Sequence, residues 1–176
     1  MSRRVFVFIT MGSNIDPEAN LQQALRLLGQ QIKVHAVSQV YESPAIDAAG
    51  RPNPDQPPFL NAAVLAETSI EPMRLKYEVL RGIEAAMGRV RGEDKYAPRP
   101  IDLDIALYGD ERHKDVEGRL TLPDPEIQTR AHIALPLADL APGYIHPVTG
   151  QTLGEIAARF EGDPSIRLHP LTLYVT

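Results

Sequence analysis

The sequence predicts an α+β fold in which two helices pack on one face of a four-stranded, mostly antiparallel sheet. Four segments have the apolar patterns of β-strands, and two have apolar residues at helical spacing. Along the chain they follow the order strand, helix, strand, strand, helix, strand, which is the ferredoxin-like βαββαβ arrangement. We expect the whole chain, residues 1–176, to form a single domain with C-terminal helical and strand additions.

The first half of this arrangement begins with a continuous apolar run at residues 5–9, which is typical of a central strand rather than of a signal peptide. A helix follows, with Asp16 as the expected N-cap, Pro17 at the first helical position and an end at Gly29. The second strand is expected at residues 32–41.

The second half contains a strand at residues 59–66, a helix over residues 72–87 that ends at Gly88, and a fourth strand at residues 101–108. Beyond Gly109 we expect shorter elements, namely a strand at 120–122, helices at 131–140 and 152–160, and a strand at 168–175.

Two loops flank the predicted sheet. Residues 43–58 contain five prolines and one glycine, and residues 92–98 form a short polar loop. Long loops in a compact domain are usually binding loops or lids. We expect both to arch over the sheet face that the helices leave open.

The composition excludes several classes of function. A net charge of −5 argues against general nucleic-acid binding, and no apolar run is long enough to cross a membrane. The absence of cysteine excludes disulfides and thiolate metal sites and fits a reducing, cytoplasmic location. The arginines between residues 89 and 99 are a local basic feature on an acidic background, which favours a small anionic ligand.

The fourth strand places two acidic residues on one face. Asp102 and Asp104 alternate with apolar residues, so they point to the open side of the sheet, roughly 6–7 Å apart. The residues expected on the core face are Ile101, Leu103, Ile105 and Leu107. Adjacent carboxylates repel each other, and Mg²⁺ removes the repulsion by taking one or two of them together with water and phosphate oxygens. Alone, such a pair more often marks a solvated strand face.

Arginines flank the acidic pair. Arg99 lies just before it, and Arg89-Val90-Arg91 lies upstream. Guanidinium groups match the geometry of phosphate oxygens. Metal-binding carboxylates with converging arginines are the groups that phosphoryl transfer requires. The sequence offers no serine–histidine–acid or cysteine arrangement that would indicate covalent catalysis.

Five short motifs occur in order along the chain. They are Gly12-Ser13-Asn14, Phe59-Leu60-Asn61-Ala62-Ala63, Gly88-Arg89-Val90-Arg91, Pro98-Arg99-Pro100-Ile101-Asp102-Leu103-Asp104-Ile105 and Leu120-Thr121-Leu122-Pro123. Each motif is weak alone, but the combination is specific. From about Val5 to Pro142 the chain resembles the 6-hydroxymethyl-7,8-dihydropterin pyrophosphokinase family of folate synthesis.

The resemblance implies an enzyme that transfers pyrophosphate from ATP to the hydroxymethyl oxygen of the pterin and releases AMP. It implies that Asp102 and Asp104 hold two Mg²⁺ ions bridging the ATP phosphates, and that Arg89 and Arg99 stabilise the transferred group. The implied ATP contacts are Glu84, Arg91, Ile105, Thr121 and Arg130. The implied pterin contacts are Ser43, Pro44, Ile46, Phe59, Asn61, Tyr96 and His132.

The chemistry of a pterin agrees with two of these roles. A flat heterocycle favours an aromatic face, and amide groups match the donors and acceptors along its edge. Phe59 and Asn61 share one face of the third strand and would supply both. Considered alone, Phe59 is equally consistent with a core residue, and Asn61 with a polar residue at a strand edge.

Two positions depart from the family pattern. Asp124 stands where the family usually has a histidine that contacts phosphate, and His132 stands where it commonly has a phenylalanine as the second pterin wall. Imidazole can stack and can titrate near neutral pH. Asp124 either turns away from the phosphate and caps the turn Pro123-Asp124-Pro125, which we favour, or faces inward and pairs with Arg130 or His132.

Two other functions stay open at this point. A ferredoxin-like regulatory domain would bind a small ligand without chemistry, but it has no need for two carboxylates that face three arginines. A kinase of the same fold would act on a different heterocyclic alcohol, as Asp124 and His132 allow. We expect ATP and a pterin as partners, neither nucleic acid nor membrane, and we allow for contact with neighbouring folate-pathway enzymes.

Overall fold

The computed structural model describes residues 3–115 and 117–176. The strands in this part of the chain are β1 (Val5–Ser13), β2 (Lys33–Val37), β3 (Val40–Ser43), β4 (Phe59–Thr68), β5 (Asp102–Tyr108), β6 (His113–Lys114), β7 (Thr121–Leu122) and β8 (Arg167–His169). The α-helices are α1 (Pro17–Gln31), α2 (Pro72–Arg74), α3 (Arg81–Ala86), α4 (Ala131–Leu140) and α5 (Leu153–Ala158). A π-helical segment, Leu75–Leu80, joins α2 to α3, and a 3₁₀ helix, Pro125–Gln128, precedes α4.

Six strands form one antiparallel sheet in the order β5-β1-β4-β3-β8, with β2 paired to β4 beside β3. The predicted α+β, ferredoxin-like fold is confirmed, with two strands more than expected. The predicted strand 32–41 divides at Ser38, whose hydroxyl oxygen accepts a hydrogen bond from the Ala63 N–H (2.8 Å) in place of a backbone carbonyl. The other additional strand, β8, lies at the sheet edge.

One face of the sheet packs against α1 and against the continuous helix that runs from α2 to α3. The helix residues in this core are Leu21, Leu25, Leu28, Leu75, Leu80 and Ile83. The predicted helix 72–87 is confirmed in extent, but its middle is π-helical, which the apolar spacing does not indicate. Gly88 follows with a φ of 88°, a conformation that glycine adopts without steric cost, and turns the chain into the arginine segment.

The two ends of α1 differ from the prediction. Asp16 has a φ of 41° in the left-handed region, and its side chain accepts no hydrogen bond from the helix. An N-cap normally has β-region geometry, which aims its side chain at the first helical N–H groups, so the predicted side-chain cap is wrong. Pro17 occupies the first helical turn as expected, and the helix continues past Gly29 to Gln31.

The opposite face of the sheet is covered at one end by α4 and α5, so the expectation of an open face is only half correct. The second core there contains Phe8, Ala63, Ala106, Leu107, Ile127, Ile133, Ala134, Leu137, Leu153 and Ile156. Leu107 was predicted on the other face. It lies here because the β1–β5 register shifts at a bulge, where Phe8 pairs with Leu107 and Ile9 pairs with Ile105.

The C-terminal additions are mostly as expected. The predicted strand at 120–122 corresponds to β7, which pairs with β6 outside the main sheet. Helix 131–140 is confirmed as α4, with Pro136 buried inside it. Helix 152–160 is confirmed as the shorter α5, which begins with a capping box between Thr152 and Glu155.

The last segment of the chain is less regular than predicted. Of the expected strand 168–175, only the residues of β8 pair with the sheet. The chain then runs along α1, where Gln22 exchanges two hydrogen bonds with the Tyr174 backbone (2.9 and 3.0 Å) and Leu173 is buried. Among the described helices, none has the length and apolar character that crossing a bilayer requires.

Candidate active site

A cavity of about 400 Å³ lies beside the acidic end of β5, among β1, β4, the two flanking loops and the start of α4. Most of the predicted site residues line it: Ser43, Pro44, Ile46, Phe59, Asn61, Tyr96, Arg99, Asp102, Asp104, Arg130 and His132. The predicted residues outside the lining are Glu84, Arg89, Arg91, Ile105 and Thr121. The Ile105 side chain is buried in the first core, and Thr121 belongs to β7.

Asp102 accepts hydrogen bonds from two arginines. Arg89 Nη1 lies 2.7 Å from Oδ1, and Arg99 Nη1 lies 3.4 Å from Oδ2. The Asp102 side chain is 47% exposed, whereas the side chains of Arg89 and Arg99 are 10% and 19% exposed. The carboxylate is therefore accessible from the cavity while both guanidinium groups are largely buried beside it.

Asp104 faces the same cavity, as the strand pattern predicts. Its Oδ1 accepts a hydrogen bond from the Ile105 N–H (2.9 Å) and forms an ion pair with Lys76 Nζ (3.2 Å). Lys76 lies on the π-helical segment and also donates to the Arg119 carbonyl (3.0 Å). Each carboxylate of the acidic pair is thus held next to at least one positive charge.

Glu84 is a buried carboxylate behind the acidic pair. It accepts hydrogen bonds from Arg89 Nη1, from Arg91 Nη2 (2.7 Å) and from the Leu103 N–H (3.1 Å). Burial raises the pKa of Glu84, and the positive charge of Arg89 partly opposes that rise. Burial also acts to lower the pKa of Arg89, but the negative charges of Asp102 and Glu84 outweigh this effect and raise that pKa, so Arg89 stays charged.

Arg99 is fixed through its backbone as well as its side chain. Its N–H donates to Asn14 Oδ1 (2.9 Å), and its carbonyl accepts from the Asn14 N–H (3.2 Å). The guanidinium group donates to the carbonyls of Lys95 and Ala97 and lies 6.0 Å from the centre of the Phe59 ring. Arg99 therefore connects the acidic end of the cavity to its aromatic end.

The aromatic end is formed by the start of β4 and its neighbours. Asn61 donates from Nδ2 to the Tyr41 carbonyl (3.1 Å) and to Ser43 Oγ (2.9 Å), which fixes the amide plane. A Cβ atom at Gly12 would lie 3.4 Å from Asn61 Oδ1 and 3.7 Å from the Phe59 ring. Glycine at this position keeps open the space between the ring and the amide.

The two loops that were expected to arch over the site are connected to each other. Gln56 in the first loop donates to the Tyr96 carbonyl in the second (2.9 Å). Asn14 donates from Nδ2 to the Pro57 carbonyl (3.2 Å) and to Gln56 Oε1 (3.4 Å). One asparagine therefore contacts the first loop directly and also binds Arg99, the residue that follows the second loop.

Asp124 caps the 3₁₀ helix, since its Oδ1 accepts from the Glu126 N–H (2.9 Å). The expected cap is confirmed, but the expectation that Asp124 turns away from the site is wrong, and Arg130 pairs with Glu126 (3.9 Å). The Asp124 carboxyl nevertheless lines the cavity. Burial, together with the charges of Asp104 and Glu126, raises the pKa of Asp124 to about 6.

His132 lines the cavity at the start of α4. Burial, together with the charge of Arg130, lowers the pKa of His132 to about 4, against the opposite effect of Asp102. The imidazole is therefore neutral near neutral pH, and the expectation that it titrates there is wrong because the site desolvates it. A neutral ring keeps a flat face and a single N–H donor.

Sequence reasoning missed several residues of the site. Lys76 and Gly12 were not singled out, and Asn14 was only part of a motif. The distant segment 163–166 also contributes cavity lining through Asp163, Ser165 and Ile166. Lys76 could not be identified because the spacing of a regular α-helix does not direct it to β5. Gly12 and Asn14 were indicated only by their place in the motif Gly12-Ser13-Asn14.

The acidic pair fits a hard divalent cation. Asp102 and Asp104 offer accessible carboxylate oxygens on one strand face, which is the ligand type that Mg²⁺ prefers. Over residues 3–115 and 117–176, the side chains form no group of three or more histidine, cysteine or acidic residues placed to hold a metal. Mg²⁺ suits such a site because water and phosphate oxygens usually complete its coordination.

A cavity with acidic and basic side chains at one end and an aromatic wall at the other indicates an enzyme of the phosphoryl-transfer class that acts on a flat organic substrate. The model of the 7,8-dihydro-6-hydroxymethylpterin-pyrophosphokinase (HPPK) family matches residues 8–142. The chain belongs to this family. Its activity is the ATP-dependent transfer of pyrophosphate to hydroxymethyldihydropterin in folate biosynthesis.

Similar proteins agree with this assignment. The 2-amino-4-hydroxy-6-hydroxymethyldihydropteridine pyrophosphokinase of Synechocystis is 36% identical over 148 residues, which are 82% of this chain and 71% of the relative. The enzyme of the same name from Haemophilus influenzae is 32% identical over 94% of this chain and 99% of its own. A crystal structure of Plasmodium falciparum HPPK-DHPS has the same fold, with a TM-score of 0.70 at 16% identity. The match covers 91% of this chain and 44% of the Plasmodium chain.

Proposed function

We propose that this cavity performs the pyrophosphokinase reaction with Asp102 and Asp104 as the ligands of two Mg²⁺ ions and with Arg89 and Arg99 as catalytic residues. One observation supports the proposal above all: two neighbouring carboxylates of one strand face the same cavity, and basic side chains contact both. When bound, Mg²⁺ would neutralise charge on the ATP polyphosphate and help to align it.

The reaction needs no nucleophile from the protein. The hydroxyl oxygen of the pterin attacks the β-phosphorus of ATP, the bond from that phosphorus to the oxygen it shares with the α-phosphorus breaks, and AMP leaves. Catalysis then consists of positioning the reactants and stabilising developing charge. Arg89 and Arg99 suit this task because Glu84 and Asn14 hold them in place before the substrates arrive.

The aromatic end of the cavity suits the pterin. Phe59 and the neutral His132 supply flat faces, and Asn61 presents its amide at the ring edge because two hydrogen bonds fix its orientation. The other proposed pterin contacts at this end are Ser43, Pro44, Ile46 and Tyr96, all of which line the cavity.

The proposed nucleotide contacts are supported unequally. Arg130 lines the cavity, and Arg91 is 48% exposed while it pairs with the buried Glu84. Glu84 itself contacts the arginines rather than the cavity, so we propose that it acts on ATP through them. Ile105 and Thr121 lie outside the lining and stay predictions.

We also propose that residues 1–176 act as one domain in the cytoplasm beside other enzymes of folate synthesis. The second core supports a single domain, because it joins α5 to the sheet of the family-matched region. Contact with neighbouring enzymes is suggested by relatives such as the folate synthesis bifunctional protein of Arabidopsis thaliana, of which this chain spans 26%.

Product analysis with ATP and 6-hydroxymethyl-7,8-dihydropterin tests the proposal. We expect AMP and the pterin diphosphate in equal amounts, and strict dependence on a divalent cation. Asp102→Asn and Asp104→Asn should lose turnover by several orders of magnitude, whereas Asp110→Asn, an exposed control just beyond β5, should not. ADP as product, or near-normal turnover of either site variant, would contradict the assignment.

A further inference from the structure

Lys76 has no part in the mechanism described so far, yet its ammonium group lies at the acidic edge of the cavity. Nζ is 3.2 Å from Asp104 Oδ1 and 3.0 Å from the carbonyl oxygen of Arg119. The side chain is only 16% exposed. Lysine is rarely this buried unless a partner compensates its charge, so the position of this ammonium group depends on the carboxylate it contacts.

The surroundings of Lys76 are rich in negative charge. Asp104 and Asp124 lie close enough for the charge of one to raise the pKa of the other, and Lys76 acts on Asp124 in the opposite direction. Glu126 lines the same part of the cavity. Lys76 is therefore a cation that contacts the proposed metal ligand Asp104 and acts electrostatically on the capping residue Asp124.

The attachment of Lys76 differs from that of the arginines. Arg89 and Arg99 are each held by several hydrogen bonds to the protein, including bonds to Asp102. Lys76 has one ion pair and one bond to a carbonyl. An ammonium group on a flexible stem can exchange one acceptor for another without losing its remaining bond.

We propose that Lys76 is a phosphate-binding residue that pairs with Asp104 in the free protein and donates to a phosphate oxygen of the nucleotide once Asp104 binds metal. The inference rests on the proposed function, since it requires metal at Asp104 and a polyphosphate beside it. A divalent cation bound by Asp104 would repel the ammonium group, and the polyphosphate would supply new anionic acceptors beside Lys76. The Arg119 carbonyl keeps the side chain at the site during the exchange.

The proposal makes opposite predictions for two ligands. Lys76→Met keeps most of the side-chain length and removes the charge. Because the competing cation is gone, the variant should bind Mn²⁺ alone about threefold more tightly than the wild type. Because the charge-assisted bond to phosphate is lost, it should bind an unreactive methylene analogue of ATP with Mg²⁺ about tenfold more weakly.

Two further variants make the measurement specific. Lys33→Met removes an exposed lysine of β2 that, unlike Lys76, forms no ion pair with Asp104, and it should change neither affinity. Lys76→Arg keeps the charge and should bind the Mg²⁺ complex of the analogue within about threefold of the wild type. Thermal unfolding without ligand establishes that each variant is folded before binding is measured.

The outcomes separate this inference from the proposed function. Opposite shifts of the two affinities in Lys76→Met support the role of Lys76, because loss of packing alone would weaken both together. Parallel weakening, or no change in either affinity, overturns it while leaving the proposed function intact if the wild type binds the Mg²⁺–analogue complex. A wild-type protein that does not bind that complex overturns the proposed function and this inference with it.

Discussion

At the scale of single residues, Glu84 illustrates how a buried group can determine the geometry of a site that it does not line. Its two carboxylate oxygens accept from Arg89, Arg91 and the Leu103 N–H, so one side chain joins α3, the arginine segment and β5. The side chain is 2% exposed, and its charge is compensated by the two arginines. Removing that charge leaves Arg89 buried beside a single carboxylate.

We therefore expect Glu84→Gln to destabilise the protein by about 3 kcal/mol, because removing one partner of a buried ion pair is strongly destabilising and only Asp102 then compensates the buried charge of Arg89. Turnover should fall more than the affinity for ATP, since Arg89 loses its position but Asp102 remains. Urea unfolding and steady-state kinetics measure the two effects.

Glu78→Gln is the matched control for this prediction. Glu78 pairs with Arg74 at 3.1 Å, but both side chains are more than 60% exposed. Exposed pairs of this kind contribute at most about 1 kcal/mol. Equal destabilisation by the two substitutions would show that burial of Glu84 is not the source of its effect.

The free energy of unfolding should depend on pH through Asp124, and the sign of this dependence follows from its pKa. Its pKa is raised from 3.8 to about 6, so the folded state binds the proton more tightly than the unfolded state does. This group therefore favours folding most at low pH, and its contribution is lost as the pH rises through that window. The loss is at most about 3 kcal/mol and is reduced by partial exposure to solvent.

Asp124→Asn removes the charge but keeps an oxygen that can accept from the Glu126 N–H. Without divalent cations, we expect the variant to be more stable than the wild type by about 1–2 kcal/mol near neutral pH, with the difference vanishing near pH 4. Chemical unfolding across that pH range tests this. Asp47→Asn should show no such gain on raising the pH, because hydrogen bonds from Arg51 lower the pKa of Asp47. A variant less stable than the wild type at neutral pH would refute the prediction.

Several of these residues could be predicted from the sequence, and others could not, for physical reasons. The alternation around Asp102 and Asp104 directly encodes a shared face, because side chains on a strand alternate. Leu107 follows the same alternation in the sequence but lies on the other face. The β-bulge that moves it cannot be recognised from the alternation of apolar and polar residues. The neutrality of His132 depends on burial by distant segments, which local patterns do not contain.

At the scale of elements, the two loops over the cavity behave as one connected unit in the structure. Gln56 joins the first loop to the second by donating to the Tyr96 carbonyl. Asn14, which follows the end of β1, donates to Gln56 and to the Pro57 carbonyl. The prolines predicted the first loop and the polar composition predicted the second, but the hydrogen bond between them is a tertiary contact over 40 residues. Its consequence is that ordering one loop favours ordering of the other.

We expect hydrogen exchange to slow in both loops, 43–58 and 92–98, when an unreactive ATP analogue and pterin bind together. Gln56→Ala should raise exchange of both loops in the free protein and reduce the slowing that the ligands cause, because the connection is lost. Gln30→Ala, an exposed substitution on α1, serves as the control. Unchanged exchange in Gln56→Ala would mean that the loops order independently.

At the scale of the whole molecule, the region beyond the family match completes the fold. The match ends at residue 142, yet α5 supplies Leu153 and Ile156 to the second core, and β8 extends the sheet. The succession of the main strands and helices along the chain was predictable from local patterns. The docking of the last segment was not, because the apolar residues there alternate like a strand although only β8 pairs with the sheet.

Two leucines of the C-terminal segment test how much this region contributes. Leu173 is 6% exposed in the first core, and Leu168 is 59% exposed on β8. Leu173→Ala should destabilise the protein by about 2–4 kcal/mol, whereas Leu168→Ala should change stability by less than about 1 kcal/mol. Both are measured by urea unfolding. Similar small effects would indicate that the last residues are not part of the folded core.

The π-helical segment between α2 and α3 determines which side chains of this helix reach the site. In an uninterrupted α-helix, residues eight positions apart, as Lys76 and Glu84 are, lie about 80° out of phase. The wider π turn accommodates roughly one additional residue, so that both side chains reach β5. Deleting one residue here would restore regular winding and leave Lys76 and Glu84 seven positions apart, about 20° out of phase, so both side chains would still reach β5. The π turn is therefore the point in this helix at which a single-codon deletion preserves the alignment of the two site residues.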